Sequence, residues 1–189
     1  MGTKILITGG SGMIGQALSA ALSQKGHQVS HLSRNPSKKA NYPSYKWDIA
    51  NQYIDPRALN VDLIIHLSGE GIANKRWTEK QKQKLIMSRI DAAKLLYDQI
   101  IKLKKRPARI ISASAIGYYG SDTQEEECFE DTPAGDDFIG QFVFNWEQQV
   151  NQFEALGMQV SMLRIGIVLS KAGGALPKLT LPILWGVGA

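Results

Sequence analysis

The sequence contains a single cysteine, Cys128, among its 189 residues. One thiol cannot close an internal disulfide or build a cysteine-based zinc site, so the composition is typical of a protein from a reducing compartment, and we expect the cytoplasm. No apolar run approaches the roughly 20 residues that a membrane-spanning helix needs. The first apolar run leads into glycines rather than a signal-peptide cleavage site. We therefore expect no membrane partner and no metal.

The sequence also has no large excess of charge. Its 22 Lys and Arg residues stand against 17 Asp and Glu residues, which leaves a net charge of +5. The basic residues concentrate at 75–84 and 102–109, and the second cluster lacks the interleaved aromatic residues that a single-strand nucleic-acid surface needs. We interpret the clusters as a solvated helix face and a basic helix end, and expect no nucleic-acid partner.

Apolar runs and helical patterns alternate along the chain, without repeats or low-complexity segments. This alternation predicts an α/β fold, a Rossmann-type doubly wound parallel sheet with helices on both faces, over residues 1–170. The strands are expected at 4–8, 28–33, 45–49, 61–68, 109–113 and 159–168, and the helices at 13–25, 78–104 and 136–156. The helix at 78–104 has Thr78 as its candidate N-cap and an apolar stripe formed by Ile86, Ile90, Ala93, Leu96 and Ile100.

A glycine-rich turn, TGGSGMIG at residues 8–15, follows the first predicted strand and opens the first predicted helix. The first glycine of such a turn permits a sharp bend, the middle one lets the backbone approach a pyrophosphate, and the last lets the helix pack closely on the strand. The free N–H groups of the helix N-terminus favour an anion. The sequence therefore predicts a dinucleotide-binding turn made by Gly9, Gly12, Met13, Ile14 and Gly15.

No acidic residue follows the second predicted strand, where NAD-binding proteins usually place an Asp or Glu on the ribose hydroxyls. Residues 31–39 read HLSRNPSKK instead. Arg34 is placed to pair bidentately with a 2′-phosphate, and Ser33 adds a hydroxyl donor. An ordinary surface cation is the alternative interpretation of Arg34. The pattern favours NADP(H) as the cofactor over NAD.

These motifs, in this order along essentially the whole chain, resemble a short-chain dehydrogenase/reductase of the extended or atypical kind. More narrowly, the sequence resembles the subgroup labelled NAD-dependent epimerase or nucleoside-diphosphate-sugar epimerase. The matching segments are LSGE (67–70), KRWTEKQK (75–82), SRI (88–90), SASAIGYYG (112–120), WE (146–147) and LRIGIVLSKAGGAL (163–176).

The resemblance implies further site residues. Leu67, Ser68 and Gly69 would line the path of the adenosine and ribose, and Arg89 would reach the cofactor from a position where most of the superfamily has an asparagine. Ser114 would donate a hydrogen bond to a substrate carbonyl. Because members of the family continue into a C-terminal substrate-binding part, residues 171–189 are expected to be the start of that region, truncated here.

The sequence lacks a Tyr-x-x-x-Lys pair at the place on which the chemistry of the superfamily depends. Its one textual match, Tyr42–Lys46, spans a proline in a loop between the second and third predicted strands and is a chance match. Aligning Glu147 with the acid that usually follows this motif puts Ile139 at the tyrosine position and Val143 at the lysine position, and neither can move a proton. Tyr118 is the candidate for a substitute phenol, with Tyr119 beside it. Aromatic packing under the loop is the alternative for both.

Two functions remain open from the sequence. The first is an NADP(H)-linked oxidoreductase or nucleotide-sugar epimerase-like enzyme, with a small-molecule substrate and an oligomeric state that the sequence leaves open. The second is a catalytically inactive cofactor-binding sensor or regulatory module, which the missing Tyr-x-x-x-Lys pair favours.

Overall fold

The computed structural model of the protein describes residues 2–37, 39–71, 76–170, 173–176, 180 and 183–186. Part of the basic 75–84 cluster and most of the predicted C-terminal region at 171–189 therefore lie outside the described residues. The division into a domain at 1–170 and the start of a second part stays a prediction.

One sheet of seven strands organises the domain. The strands are β1 (Lys4–Thr8), β2 (Gln28–Ser33), β3 (Ser44–Asp48), β4 (Tyr53–Ile54), β5 (Leu63–His66), β6 (Arg109–Ala115) and β7 (Gln159–Ile165). Their spatial order is β4-β3-β2-β1-β5-β6-β7, and neighbouring strands are parallel except β3 and β4, which are antiparallel. This sheet confirms the predicted Rossmann-type architecture. The edge strand β4 was not predicted, because two residues are too short to show an alternating pattern.

Helices cover both faces of this sheet, as predicted. They are α1 (Met13–Gln24), α2 (Glu79–Ile86), α3 (Ala92–Ile100) and α4 (Phe138–Asn151). On one face, Leu18 and Leu22 of α1 pack on a cluster of strand residues, Ile5, Ile7, Val29 and Ile65. On the other face, α3 contributes Leu95, Leu96 and Ile100 to a cluster with Leu6, Leu32, Ile64 and Ile110.

The helix predicted over 78–104 is interrupted, and this part of the prediction is wrong. A π-helical turn, Met87–Asp91, separates α2 from α3. Leu85 and Arg89 are buried, whereas Ile86 and Ile90, which the expected stripe contained, are only half-buried. Arg89 lies within the π turn, four residues after Leu85, so the buried face of this segment carries an arginine.

The helix caps follow the local sequence. Thr78, the predicted N-cap of α2, accepts a hydrogen bond from the Gln81 N–H at 3.3 Å, and Asp137 caps α4 by accepting from the Gly140 N–H at 2.7 Å. After α4 a 3₁₀ turn, Gln152–Leu156, ends at Gly157 with φ +77°. Within the described part of the chain, no helix has the length and apolarity required to cross a bilayer. A two-stranded ribbon, β8 (Leu169–Ser170) and β9 (Gly173–Gly174), follows the sheet.

Candidate functional site

A cleft of about 580 Å³ opens at the carboxyl ends of β1, β2 and β5. The chain leaves β1 towards β2 on one side and later returns to β5 on the other, so the cleft lies at the switch point where open α/β sheets bind their ligands. Most of the predicted cofactor-binding residues line it: Gly9, Gly12, Ser33, Arg34, Leu67, Ser68 and Gly69.

The glycines of the turn are required by close backbone contacts. Gly9 has φ +70°, and a Cβ there would lie 2.8 Å from the carbonyl carbon of Leu67. A Cβ on Gly15 would lie 2.7 Å from the Gly10 α-carbon. Gly12 donates its N–H to the Gly9 carbonyl at 3.0 Å. Met13 and Ile14 follow it as the first residues of α1, so their N–H groups lie at the helix end that attracts anions.

His31 fastens this turn to β2. The Ser19 hydroxyl donates to the Gly15 carbonyl at 2.6 Å and lies 2.8 Å from Nε2 of His31. Because the hydroxyl has one proton, His31 must donate from Nε2. Burial lowers the pKa of His31, which favours this neutral form. The ring also lies against Gly10, where a Cβ would come within 2.5 Å of it.

Arg34 lies exposed on the cleft wall at the end of β2. Among the described residues it makes no salt bridge. Ser33 Oγ accepts from the Asn35 N–H at 3.2 Å, which fixes the turn. Lys46 donates from Nζ to the Arg34 carbonyl at 2.7 Å. The sequence reasoning missed this second cation, because the pairing of Lys46 with Ser33 across β2 and β3 brings it there.

Thr8 fixes the end of β5, on the opposite side of the glycine turn. Its Oγ1 accepts from the N–H groups of Leu67 and Ser68, each at 3.1 Å, and lies 2.9 Å from Nδ1 of His66. Since both lone pairs are engaged, the hydroxyl donates to Nδ1. Burial lowers the pKa of His66 to about 4, so the ring is neutral at pH 7. The network sets the path of Leu67 and Ser68 along the cleft.

Arg89 lies behind this stretch, at the same end of the cleft. Its guanidinium donates to the Glu70 carbonyl at 3.0 Å and to Ser88 Oγ at 3.3 Å. It lies over the rings of Phe142 and Trp146, at 5.8 and 5.3 Å from their centroids. Burial lowers its pKa to about 10, which leaves it charged at pH 7. The sequence alone gave no sign of these ring contacts, because Phe142 and Trp146 lie on the distant helix α4.

Ser114 lies buried near the end of β6 and donates a hydrogen bond to Glu147 of α4. Arg164 of β7 pairs with both oxygens of the same carboxylate and donates to the Tyr119 hydroxyl at 2.9 Å. The bonds from Arg164 to Glu147, and then to Tyr119, raise the pKa of the guanidinium despite its partial burial. In the sequence, Glu147 served only as the reference position from which the expected tyrosine and lysine positions were located, and nothing there indicated a role for Arg164. In this arrangement Ser114 donates its single hydroxyl proton to Glu147 and not to a substrate.

Tyr118 is half-buried, with its ring centroid 3.5 Å from Cζ of Arg164. It packs against the buried cluster on α4. Ile139 and Val143, which occupy the expected tyrosine and lysine positions, face the same turn: a Cβ on Gly117 would lie 2.6 Å from Cγ2 of Ile139 and 3.9 Å from Cγ2 of Val143. The structure thus brings Tyr118 close to α4. The catalytic roles of Ser114 and Tyr118 stay predictions.

Comparison with known families agrees with this geometry. The profile of the NAD dependent epimerase/dehydratase family matches residues 5–137. The chain belongs to this family. Membership supports a domain that binds NAD(P), with the Rossmann architecture described above.

Individual relatives are similar over nearly the whole chain. An epimerase family protein of Staphylococcus saprophyticus is 37% identical over 186 residues, which are 94% of this chain and 59% of the relative. The crystal structure of the nucleoside-diphosphate sugar epimerase from Corynebacterium glutamicum matches with a TM-score of 0.82 and 30% identity, covering 97% of this chain and 38% of that one. Human epimerase family protein SDR39U1 (isoform 2), crystallised with NADPH, matches with a TM-score of 0.80 and 28% identity, covering 98% and 61%. The chain therefore spans about three fifths of the length of the curated relatives it matches.

Proposed function

We propose that the cleft binds NADP(H), and that the domain serves a cytoplasmic oxidoreductase or nucleotide-sugar epimerase-like enzyme with a small-molecule substrate. The observation that carries the cofactor preference is Arg34, a cation on the cleft wall that forms no salt bridge with any described residue. An acid at the end of β2 would repel a 2′-phosphate, and residues 31–39 contain none.

A dinucleotide would lie in the cleft in one orientation. The pyrophosphate would lie on the glycine turn, whose path is fixed by the close backbone contacts of Gly9 and Gly15 and where Gly12 presents no side chain, and where the N-terminus of α1 favours its charge. The adenosine half would extend over β2 and β3, towards Arg34, Ser44 and Ile49, which line that end. The nicotinamide half would extend over β5 and β6.

Within this orientation the protein binds and orients the cofactor, which supplies the hydride chemistry when bound. Ser33 and Arg34 would hold the 2′-phosphate. The resemblance implies that Leu67, Ser68 and Gly69 line the path of the adenosine and ribose. In this orientation they would instead line the path of the nicotinamide ribose, and Arg89 would contact the cofactor at the β5 end. Ser114 donates its one hydroxyl proton to Glu147. Its lone pairs can therefore accept from a substrate hydroxyl, rather than its proton being donated to a carbonyl as the resemblance implies, and Tyr118 is the candidate phenol.

Two relatives support the finer parts of this proposal. The human relative was crystallised with NADPH, and the relative from Corynebacterium glutamicum is described as a nucleoside-diphosphate sugar epimerase. We therefore infer the 2′-phosphorylated cofactor, and nucleotide sugars as the substrate class to examine first.

A specific observation favours the second candidate, a cofactor-binding sensor or regulatory module. Ile139 and Val143 present only methyl groups to the turn that carries Tyr118, so α4 offers no proton donor there. Such a module would bind NADP(H) with the same contacts but turn over no substrate.

Calorimetric titration with NADPH, NADP⁺, NADH and NAD⁺ tests the cofactor. We expect the two 2′-phosphorylated forms to bind more tightly than their counterparts by at least about tenfold, the effect of one charge-assisted hydrogen bond. Equal affinities would contradict the preference, and no binding of any form would overturn the proposed function. A screen of nucleotide sugars with bound cofactor then separates the two candidates, because only the enzyme produces a new sugar nucleotide.

A further inference from the structure

Arg89 is a buried cation without an anionic partner among the described residues. It is 8% exposed. Among the described residues, its two terminal nitrogens contact only the Glu70 carbonyl and Ser88 Oγ, and its Nε has no hydrogen-bond partner. The Glu70 carboxylate favours the charged form through space but forms no salt bridge with it. Burying a charge costs several kcal/mol unless it is compensated, so this arrangement needs a reason.

Three separate features hold the guanidinium where it is. Arg89 lies on the buried side of the π turn, and the faces of Phe142 and Trp146 support it from α4. Gly69 leaves the space it occupies, because a Cβ at this position would lie 2.7 Å from Cζ of Arg89. The guanidinium thus lies directly against a residue of the cleft wall.

The position of this charge along the sheet identifies what it faces. Arg34 lies at the end of β2, the glycine turn follows β1, and Gly69 follows β5 on the other side. A dinucleotide with its pyrophosphate on the turn and its 2′-phosphate at Arg34 would place its nicotinamide nucleotide beside Gly69. Arg89 lies at this end of the cleft.

We propose that Arg89 binds the phosphate of the nicotinamide half of the cofactor. This inference rests on the proposed function, since it needs a dinucleotide in the cleft.

A fragment comparison separates this role from a structural one. NADPH contains both halves of the cofactor, whereas adenosine 2′,5′-bisphosphate lacks the nicotinamide nucleotide. We expect Arg89→Met to weaken NADPH binding by about 10- to 100-fold, as for a charge-assisted phosphate contact, and to change the bisphosphate affinity by less than about threefold. Arg34→Ala, by contrast, should weaken both ligands by similar factors.

Two further variants keep the test decisive if Arg89→Met folds poorly. Arg89→Lys retains the charge without the planar fork and should lose less NADPH affinity than Arg89→Met. Gly69→Ala retains Arg89 but displaces its guanidinium from the cleft wall, so it should also weaken NADPH more than the bisphosphate. Thermal unfolding of each unliganded variant, followed by circular dichroism, identifies those that remain folded at the titration temperature.

The outcomes distinguish this inference from the proposed function. If the unsubstituted protein binds neither ligand, both are overturned together. If it binds both, and folded Arg89 variants lose affinity for the two ligands equally or lose none, then Arg89 does not face the nicotinamide half, and only this inference fails. Selective loss of NADPH in Arg89→Met and Gly69→Ala supports it.

Discussion

Arg164 donates to both carboxylate oxygens of Glu147, from Nε and from the second terminal nitrogen, at 3.0 Å each. The pair joins β7 to α4, with side chains 18% and 7% exposed. Glu147 also accepts the Ser114 hydroxyl, and Arg164 reaches Tyr119 and the Glu130 carbonyl. One ion pair thus connects two strand ends, a helix and the loop after β6.

Removing the carboxylate of this pair should destabilise the domain strongly. In Glu147→Ala the Arg164 charge stays largely buried without its partner and Ser114 loses its acceptor, so we expect the free energy of unfolding to fall by about 2–4 kcal/mol. Denaturant unfolding measures this change. Gln148→Ala, one position along α4 and exposed, is the control and should stay within about 0.5 kcal/mol. Equal small losses in both variants would show that the ion pair contributes little.

Arg34 gives the sharpest prediction on cofactor choice. Arg34→Ala should weaken NADPH binding by about 1.5–3 kcal/mol, because a charge-assisted phosphate contact is lost, and leave NADH binding nearly unchanged. Lys105→Ala is the matched control, since this exposed cation precedes β6 and so lies at the amino ends of the strands, away from the cleft at their carboxyl ends. Calorimetry of both variants with both cofactors checks this. Parallel losses for NADPH and NADH would show that Arg34 does not recognise the 2′-phosphate.

The parts of the site that the sequence predicted are those encoded locally. Gly9, Gly12 and Gly15 lie three residues apart in one short segment, and this spacing by itself indicates a turn that needs glycine. Arg34 directly follows β2, so its place at the carboxyl edge follows from the strand assignment. These residues could be placed in the cleft without any knowledge of how distant segments pack.

The parts that escaped prediction depend on pairing between distant segments. Lys46 reaches the Arg34 carbonyl because of the β2–β3 register, and Ser114 meets Glu147 because α4 packs across β6. Arg89 was assigned from the family resemblance, but its contacts with Phe142 and Trp146 depend on how the π turn packs against α4. Hydrophobic periodicity cannot reveal this turn, since Ile86 and Ile90 continue an ordinary α-helical stripe.

His66 should make stability fall as the pH falls. Its pKa is about 4 in the folded protein, lowered by burial from 6.5. Between these values the unfolded chain binds more protons, so the free energy of unfolding decreases as pH falls from about 6.5 to 4. The two pKa values correspond to a loss of about 2 kcal/mol between pH 7 and pH 5. The lowered pKa of His31 acts in the same direction.

Denaturant unfolding at pH 7 and pH 5 isolates the His66 contribution. His66→Asn keeps an acceptor for the Thr8 hydroxyl but removes the titrating ring, so its loss between the two pH values should be smaller than that of the unsubstituted protein. Ile110→Val, a buried change that destabilises without touching a histidine, should keep the full loss. If His66→Asn keeps it too, the acid sensitivity originates elsewhere.

Two glycines with positive φ allow the free-energy cost of backbone strain to be measured apart from the cost of a close contact in the cleft. A Cβ on Gly9 (φ +70°) would lie 2.8 Å from the Leu67 carbonyl, whereas a Cβ on Gly26 (φ +82°) would have no atom within 4 Å. Gly26→Ala should therefore cost only the left-handed backbone penalty of about 1–2 kcal/mol. Gly9→Ala adds a backbone collision, so it should cost at least about 1 kcal/mol more.

The same pair tests whether the turn serves the cofactor. Gly9→Ala must move either the turn or the β5 end that lines the cleft, and we expect its NADPH affinity to fall by more than about tenfold, the equivalent of 1.4 kcal/mol. Gly26 lies beyond the far end of α1, so Gly26→Ala should bind NADPH normally once folded. Denaturant unfolding and calorimetry on both variants give the two readouts. A Gly9→Ala protein with unchanged NADPH affinity would mean that the turn tolerates a side chain beside the pyrophosphate, and that the close approach of β1 to β5 serves folding alone.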